Sequence, residues 1–394
     1  MEGVQGKKRM RKPVVGIICE YDPFPLGHKR QFELIRAAMP EAGIVCLMSG
    51  CFTQRGMPAL HLPKDRAYAA LKAGADVVLE LPCAFSVRDA EHFALGGVEI
   101  LTKLGFVTHL SFGAEDDIPL LQKAAKLLES PTENFTRALK CALDSGSSFA
   151  AAQGHALKHC LGGDVWQKPN NILALCYLRA IRRLRSPLTP LPVLRQGDYH
   201  AQSLDANEWP SATAVRRAFC EGRFEEAAAS CGWKLPCSPV CRPGSLDLLL
   251  LYKLRTMEAE WLAKLPDCTE GLENRLKACA QQATSREELL EKLKTKRYAY
   301  TRLSRLCTHA LLDLPQSLLT RHPQSEYVRL LGLRKDAEDL TALLKKSQIP
   351  VVAKAADGDM SSELYQLDLR AYDLWALGAG VPSGLMLRQG IAIV

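Results

Sequence analysis

Four short apolar runs, separated by helical patterns, fill the first 115 residues, and this alternation narrows the fold more than any other feature of the chain. Val14–Cys19 is continuously apolar, the mark of a strand covered on both faces. Gly43–Met48, Asp76–Leu81 and Phe106–Phe112 read as the next strands. Between them His28–Met39, Pro63–Ala73 and Asp89–Leu104 read as helices. Phe32, Leu34, Ile35 and Ala38 are the candidate buried positions of the first; Phe93, Gly97, Ile100 and Leu104 share one face of the last. Strands alternating with crossover helices imply an α/β fold with a doubly wound, Rossmann-like parallel sheet. Such sheets bind ligands beyond the carboxyl ends of their strands. The polar loops Glu20–Gly27, Ser49–Gly56, Pro82–Arg88 and Gly113–Asp117 fall at those ends, as loops do in every α/β protein.

Further along, residues 118–168 are amphipathic and helical. Pro169-Asn170-Asn171 opens a helix over Ile172–Arg183, and Leu191–Leu194 is a short strand running into Arg195-Gln196-Gly197. Pro210-Ser211-Ala212-Thr213 opens the helix Ala214–Phe219. The stretch Cys231–Gly244 holds three prolines and two glycines without a period, which reads as a boundary. It divides the chain into 1–235 and a mainly helical 245–394. In the second part Ser245–Leu312 is helical, Gln348–Val352 reads as a strand, and Leu367–Ala376 is ambiguous. A length of 394 residues accommodates two such units.

Composition excludes several classes. The chain is 47% hydrophobic and 24% charged, which rules out a largely disordered polypeptide. No apolar stretch approaches the ~20 residues that span a bilayer. The apolar run behind the basic start is too short for a secretory signal, so the fourteen cysteines are expected to be reduced thiols in the cytoplasm. Cys231, Cys237 and Cys241 lack a Cys-x-x-Cys pair and sit among prolines, so no metal site is assigned. The net charge of +8 permits a phosphate-rich partner without requiring one.

Two segments carry chemistry. Tyr21-Asp22-Pro23-Phe24-Pro25-Leu26-Gly27-His28 joins strand one to helix one. Gly27 permits close backbone approach, and His28 in the first helical turn could steady negative charge on a phosphate. A helix-capping turn with a surface histidine is the plain alternative. Ser211-Ala212-Thr213-Ala214-Val215-Arg216-Arg217 is the second segment. A hydroxyl at a helix mouth beside an arginine makes a phosphate cradle, or simply an N-cap with a solvated arginine pair.

Strand–loop–Gly-His–helix followed by Ser-x-Thr-x-x-Arg resembles the nucleotidyltransferases of the HIGH superfamily. Further segments sharpen the likeness: Gly16–Phe24, Met48–Gly56, Glu80–Pro82, Phe112–Glu115, Lys168–Leu173, Arg195–His200, Thr295–Tyr298, Thr301–Arg305 and Val328–Gly332. In this order they resemble the bacterial tRNA(Met) cytidine acetate ligases over about residues 14–350. The resemblance implies an enzyme that makes acetyl-adenylate from ATP and acetate, with Mg²⁺ expected alongside ATP. It then acetylates N4 of the wobble cytidine of elongator tRNA(Met). It further implies an ATP site from Ile18, Glu20, Tyr21, Pro23, Phe24, Gly27, His28 and Gln31, with Gly113, Asn170 or Asn171, Arg195, Gln196, Ser211 and Thr213. His28 and Arg216 are the expected catalytic residues.

Two departures stand out. The family's loop one usually reads Asn-Pro-Phe-His-x-Gly-His; here Asp22 replaces the Asn and Pro25 the first His. Losing one charge-assisted donor at such a site costs roughly 10²–10³ in rate. A third lies where the family commonly has Lys and this chain has Pro63. Two other readings therefore stay open: a nucleotidyltransferase acting on a small phosphorylated metabolite, and a tRNA-binding protein with weakened catalysis.

Basic residues cluster in Lys7–Lys12, Arg179–Arg185, Lys292–Arg305 and Arg329–Lys335. Lys294, Lys296, Arg297, Arg302 and Arg305 are the expected phosphate contacts, and Tyr298 or Tyr300 could stack on an unpaired base. A solvated helix face with its tyrosines turned inward has the same pattern.

Overall fold

The computed structural model describes residues 12–163, 165–194, 211–231, 239–295 and 298–394. Eight strands form one sheet: β1 (Val14–Cys19), β2 (Gly43–Ser49), β3 (Val77–Leu81), β4 (His109–Ala114), β5 (Thr189–Leu194), β6 (Val328–Leu333), β7 (Val351–Val352) and β8 (Ala392–Ile393). Their order is β5-β4-β1-β2-β3-β6-β7, with β8 paired to β6. All neighbours are parallel except β3 and β6.

The continuous apolar run of β1 is covered from both sides. Val14 and Ile18 belong to one core cluster; Val15, Ile17 and Cys19 belong to the other. The Ala90–Lys103 helix packs so closely on β1 that a Cβ on Gly16 would come within 2.8 Å of Leu101. Phe93, Ile100 and Leu104 are buried as the helical spacing predicts. In the Leu26–Ala38 helix Phe32 and Ile35 are buried, whereas Leu34 is half-buried and Ala38 exposed. This helix covers only one side of the sheet, so its apolar stripe is narrow.

The expected division at 235/245 does not divide the sheet. The later residues Val328–Leu333 pair antiparallel with β3, and Ala392–Ile393 pair with β6. The rest of 245–394 is mainly helical, and Leu367–Ala376 lies inside the Glu363–Gly378 helix. The chain progresses outward from β1 through β2 to β3, and on the other side through β4 to β5. The reversal between β1 and β4 opens a crevice at their carboxyl ends, the expected ligand position.

Candidate functional site

A cleft of about 670 Å³ lies at that reversal. A larger groove, about 1000 Å³, lies at the opposite edge, where β1, β2 and β4 begin. Its Arg36 and Arg334 are paired with Asp76 at 2.7 and 3.6 Å, so the groove is braced by its own charges. We take the cleft at the carboxyl ends as the site.

Loop one forms one wall. Ile18, Glu20, Tyr21, Asp22, His28 and Gln31 all line the cleft. Tyr21 turns the chain with φ 47°, and its ring packs 4.7 Å from Phe24 and 4.9 Å from His28. Phe24 is buried in the core beneath the loop, Pro23 is buried too, and Gly27 is exposed beside the cleft rather than lining it. These three shape the loop. Pro25 occupies the N-cap of the Leu26–Ala38 helix, where it offers no side-chain cap. Gln31 donates to Ser111 at 3.1 Å, tying the helix to β4.

Asp22 neither caps helix one nor faces open water. Its carboxylate accepts the Leu60 N–H at 2.7 Å and lies 3.6 Å from Arg216, which also donates to the Asp22 carbonyl. Asp22 thus joins loop one to the Ala212–Cys220 helix. That helix is capped by Ser211, whose hydroxyl accepts the Ala214 N–H at 3.1 Å. Its apolar side, Val215, Ala218 and Phe219, packs on Leu60. Ser211, Thr213 and Arg216 line the cleft, and Arg216 donates to Thr213 at 3.1 Å. Arg217 turns away to Glu221 at 2.8 Å.

β4 and the Pro169–Arg183 helix supply the next wall with Ser111, Gly113 and Asn170. Asn170 donates to Glu115 and keeps its position on the cleft. Asn171 is fully buried: its oxygen accepts the Glu115 N–H at 2.9 Å, and its amide donates to Asp116 at 2.6 Å and to Val165 at 3.2 Å. Of the two asparagines, only Asn170 is placed to meet a ligand. Arg195 and Gln196 lie outside the described residues.

Three parts of the site were not expected there from the sequence. Arg66 is fully buried and donates to the carbonyls of Glu20, Ser49, Gly50 and His61, gathering the ends of β1 and β2. An arginine inside the alanine-rich Pro63–Ala73 helix was the available signal. The Thr53–Pro58 loop lines the far wall through Thr53, Gln54, Arg55, Met57 and Pro58. The Gln54 N–H is donated to Glu20, a carboxyl that burial pushes upward and this bond holds back. Thr301 and Arg305 complete that wall.

Arg305 was expected on the RNA surface, but only 6% of it is exposed. Tyr298 is also buried, with Arg302 stacked 5.1 Å from its ring. Arg302 donates to the Asp267 carbonyl at 2.8 Å and to Thr269 at 2.8 Å. Lys294 and Tyr300 are exposed; Lys296 and Arg297 lie outside the described residues. Of the other basic clusters, residues 7–11 lie outside the described residues, and the remaining two hold paired arginines. Arg179 and Arg183 meet Glu91 and Glu129, and Arg329 is buried against Glu80.

Cys51 offers no activated nucleophile, because burial and then the Glu80 charge push its thiol well up. Among the described residues no three His, Cys, Asp or Glu side chains gather to hold a metal ion. Cys237 lies outside them; Cys231 and Cys241 are buried thiols pushed up to about 12, chiefly by burial.

A family model described as HIGH Nucleotidyl Transferase matches residues 12–383. A tRNA(Met) cytidine acetate ligase of Clostridium perfringens is 33% identical over 382 residues, 92% of this chain and 94% of that protein. The Clostridium kluyveri protein of the same name is 34% identical, covering 91% and 93%. This chain belongs to the tRNA(Met) cytidine acetate ligase family of HIGH nucleotidyltransferases. The crystal structure of Thermotoga maritima TmcAL bound with alpha-thio ATP matches it with a TM-score of 0.84 and 26% identity, over 97% of this chain and 99% of that one. Its apo form matches at 0.85. The likeness extends over both parts of this chain, 1–235 and 245–394 alike.

Proposed function

We propose that this protein is an ATP-dependent acetate ligase acting on the wobble cytidine of elongator tRNA(Met). An acetate oxygen attacks the α-phosphorus of ATP. The bond to the bridging oxygen breaks, and pyrophosphate leaves with its electron pair. Cytidine N4 then attacks the acetyl carbonyl, AMP departs, and the nitrogen loses a proton. The observation that carries this reading is the convergence of His28 and Arg216 in one cleft at the β1/β4 reversal. Two phosphate-gripping segments far apart in sequence meet there.

Holding the reactants together and neutralising phosphate charge would supply the rate, without a covalent enzyme intermediate. Gly113 and Asn170 line the cleft and would meet adenosine; the family resemblance adds Arg195 and Gln196 to the ATP contacts. Mg²⁺ would travel on the ATP phosphates, because the nearby carboxylates already have partners: Glu20 accepts Gln54, and Asp22 holds Leu60 and Arg216. Residues 1–235 would carry ATP and 245–394 would meet the tRNA, with the exposed Lys294 and Tyr300 among the contacts. No helix among the described residues is long and apolar enough to cross a membrane. A cytoplasmic enzyme acting on tRNA fits that.

Pro25 favours a second reading, a tRNA-binding protein with weakened catalysis. One experiment decides. The protein is incubated with ATP, labelled acetate and total tRNA, and digested nucleosides are examined by mass spectrometry. N4-acetylcytidine supports the ligase; tight tRNA binding without it supports the second reading.

A further inference from the structure

We propose that Thr301 and Arg305 form the carboxylate subsite of the cleft, binding acetate with its methyl group against Met57 and Pro58. The inference deepens the ligase reading and rests on it.

Arg305 is a buried cation with unused donors. Its Nε makes no hydrogen bond, and the Asp267 carboxylate lies 3.5 Å away. The side chain lines the cleft, so its guanidinium can be reached by a ligand there. The nearby arginines are held by protein groups through their terminal nitrogens, although the Arg286 Nε also lacks a partner. Arg302 donates to Asp267 and Thr269, and Arg286 donates to Gly56, Ser304 and Thr308. A buried guanidinium with open donors is costly unless a ligand completes it. The matching ligand is a planar anion with two oxygens, which a guanidinium can grip bidentately. Thr301 stands one turn earlier in the Tyr300–Leu311 helix, on the same side, and adds a hydroxyl.

An apolar contact is available in the same cleft. Met57 and Pro58 line the same cleft from the β2 loop. That loop sits directly on the backbone of Arg305: a Cβ on Gly56 would lie 2.7 Å from the Arg305 Cα. Arg286 and Thr308 both donate to the Gly56 carbonyl, and Ser304 donates to that of Arg55 at 2.7 Å. Cation and apolar wall are therefore locked together before any ligand arrives, which is what a selective small site needs. A tRNA phosphate is the poorer fit for Arg305, because the residue is only 6% exposed and lines the cleft.

The test is acetate-dependent exchange between ATP and pyrophosphate without tRNA, alongside ATP and tRNA affinities. Arg305→Lys should raise the KM for acetate roughly 10- to 100-fold, with ATP and tRNA affinities within about twofold of wild type. An unchanged acetate KM with weakened tRNA binding would overturn the subsite and make Arg305 a phosphate contact. Met57→Ala, which leaves the arginine cluster intact, should shift preference from acetate toward propionate; an unchanged preference also overturns it. If wild type shows no exchange, the ligase reading fails. The subsite is then read by titrating ¹³C-acetate into protein holding a non-cleavable ATP analogue. Binding that Arg305→Lys abolishes sustains the subsite; no binding, or equal binding in both, overturns it.

Discussion

Single residues decide how well this cleft can work, and two departures from the family pattern have different consequences. Pro25 fills the N-cap with a ring that donates nothing. Pro25→His should therefore raise the rate of acetate-dependent exchange roughly tenfold or more, read as kcat. No gain would remove Pro25 from the account of catalysis. Asp22 puts a carboxylate where the family pattern has Asn. The structure gives it the Leu60 N–H and Arg216, two partners remote in sequence that no local pattern could reveal. His61 was equally invisible. It is fully buried, neither ring nitrogen has a partner among the described residues, and it packs 5.3 Å from Phe219. Burial brings its pKa down from 6.5 to about 4, against the upward pull of the Asp22 charge. Below pH 6.5 the unfolded chain binds a proton there that the folded protein refuses, so acidification toward pH 4 costs up to roughly 3 kcal/mol. His61→Phe should remove that component. The stability difference between wild type and variant, followed by urea unfolding from pH 7 to pH 4.5, should then change steadily with pH. A constant difference would mean His61 does not titrate in this way.

At the level of elements, strands and helices were legible where local pattern and burial agree. The Pro63–Ala73 helix matches its expected bounds, and β1 was marked by its unbroken apolar run. The stretch 294–305 shows the opposite case. Cations interleaved with tyrosines read as an RNA face, yet Tyr298 is buried and Arg302 and Arg305 turn toward Asp267. Sequence spacing shows which residues share a helix face but not what covers that face. Here the cover is the β2 loop, joined through Gly56 at φ 74°. Gly56→Ala would force a Cβ into the backbone of Ser304 and Arg305, where neither chain can give way easily. We expect a stability loss of about 1–3 kcal/mol by thermal melting. We also expect a higher KM for acetate at unchanged ATP affinity. A lower melting point with unaltered kinetics would leave the contact a purely structural one.

For the whole molecule, the doubly wound half was readable and its closure was not, because β6 comes from residues 328–333 and joins β3 across more than half the chain. The position of the charge suffers the same blindness: arginines in two of the basic clusters, 179–185 and 329–335, are paired with acids, so a run of cations in the sequence does not mark where the excess lies on the surface. The β3–β6 seam concentrates this. Arg329 pairs with buried Glu80 and lies 5.1 Å from the Tyr372 ring, while Tyr327 donates to Asp368 at 2.6 Å. Burial pushes the Glu80 carboxyl up and Arg329 pulls it back; Asp368, buried and near Glu80, is pushed up to about 7. Arg329→Met would leave Glu80 buried and charged without its cation, a loss of about 3–5 kcal/mol. Glu80 would respond by holding its proton to higher pH. A carboxyl whose folded pKa is raised favours the folded state as pH falls, so the deficit of the variant should be largest near pH 8 and shrink toward pH 5. Because one sheet contains both parts of the chain, tryptophan fluorescence and far-ultraviolet circular dichroism should report a single transition at each pH. Two separate transitions would show that the parts fold independently despite the shared seam. A deficit that ignores pH would show that Glu80 is not the group Arg329 serves.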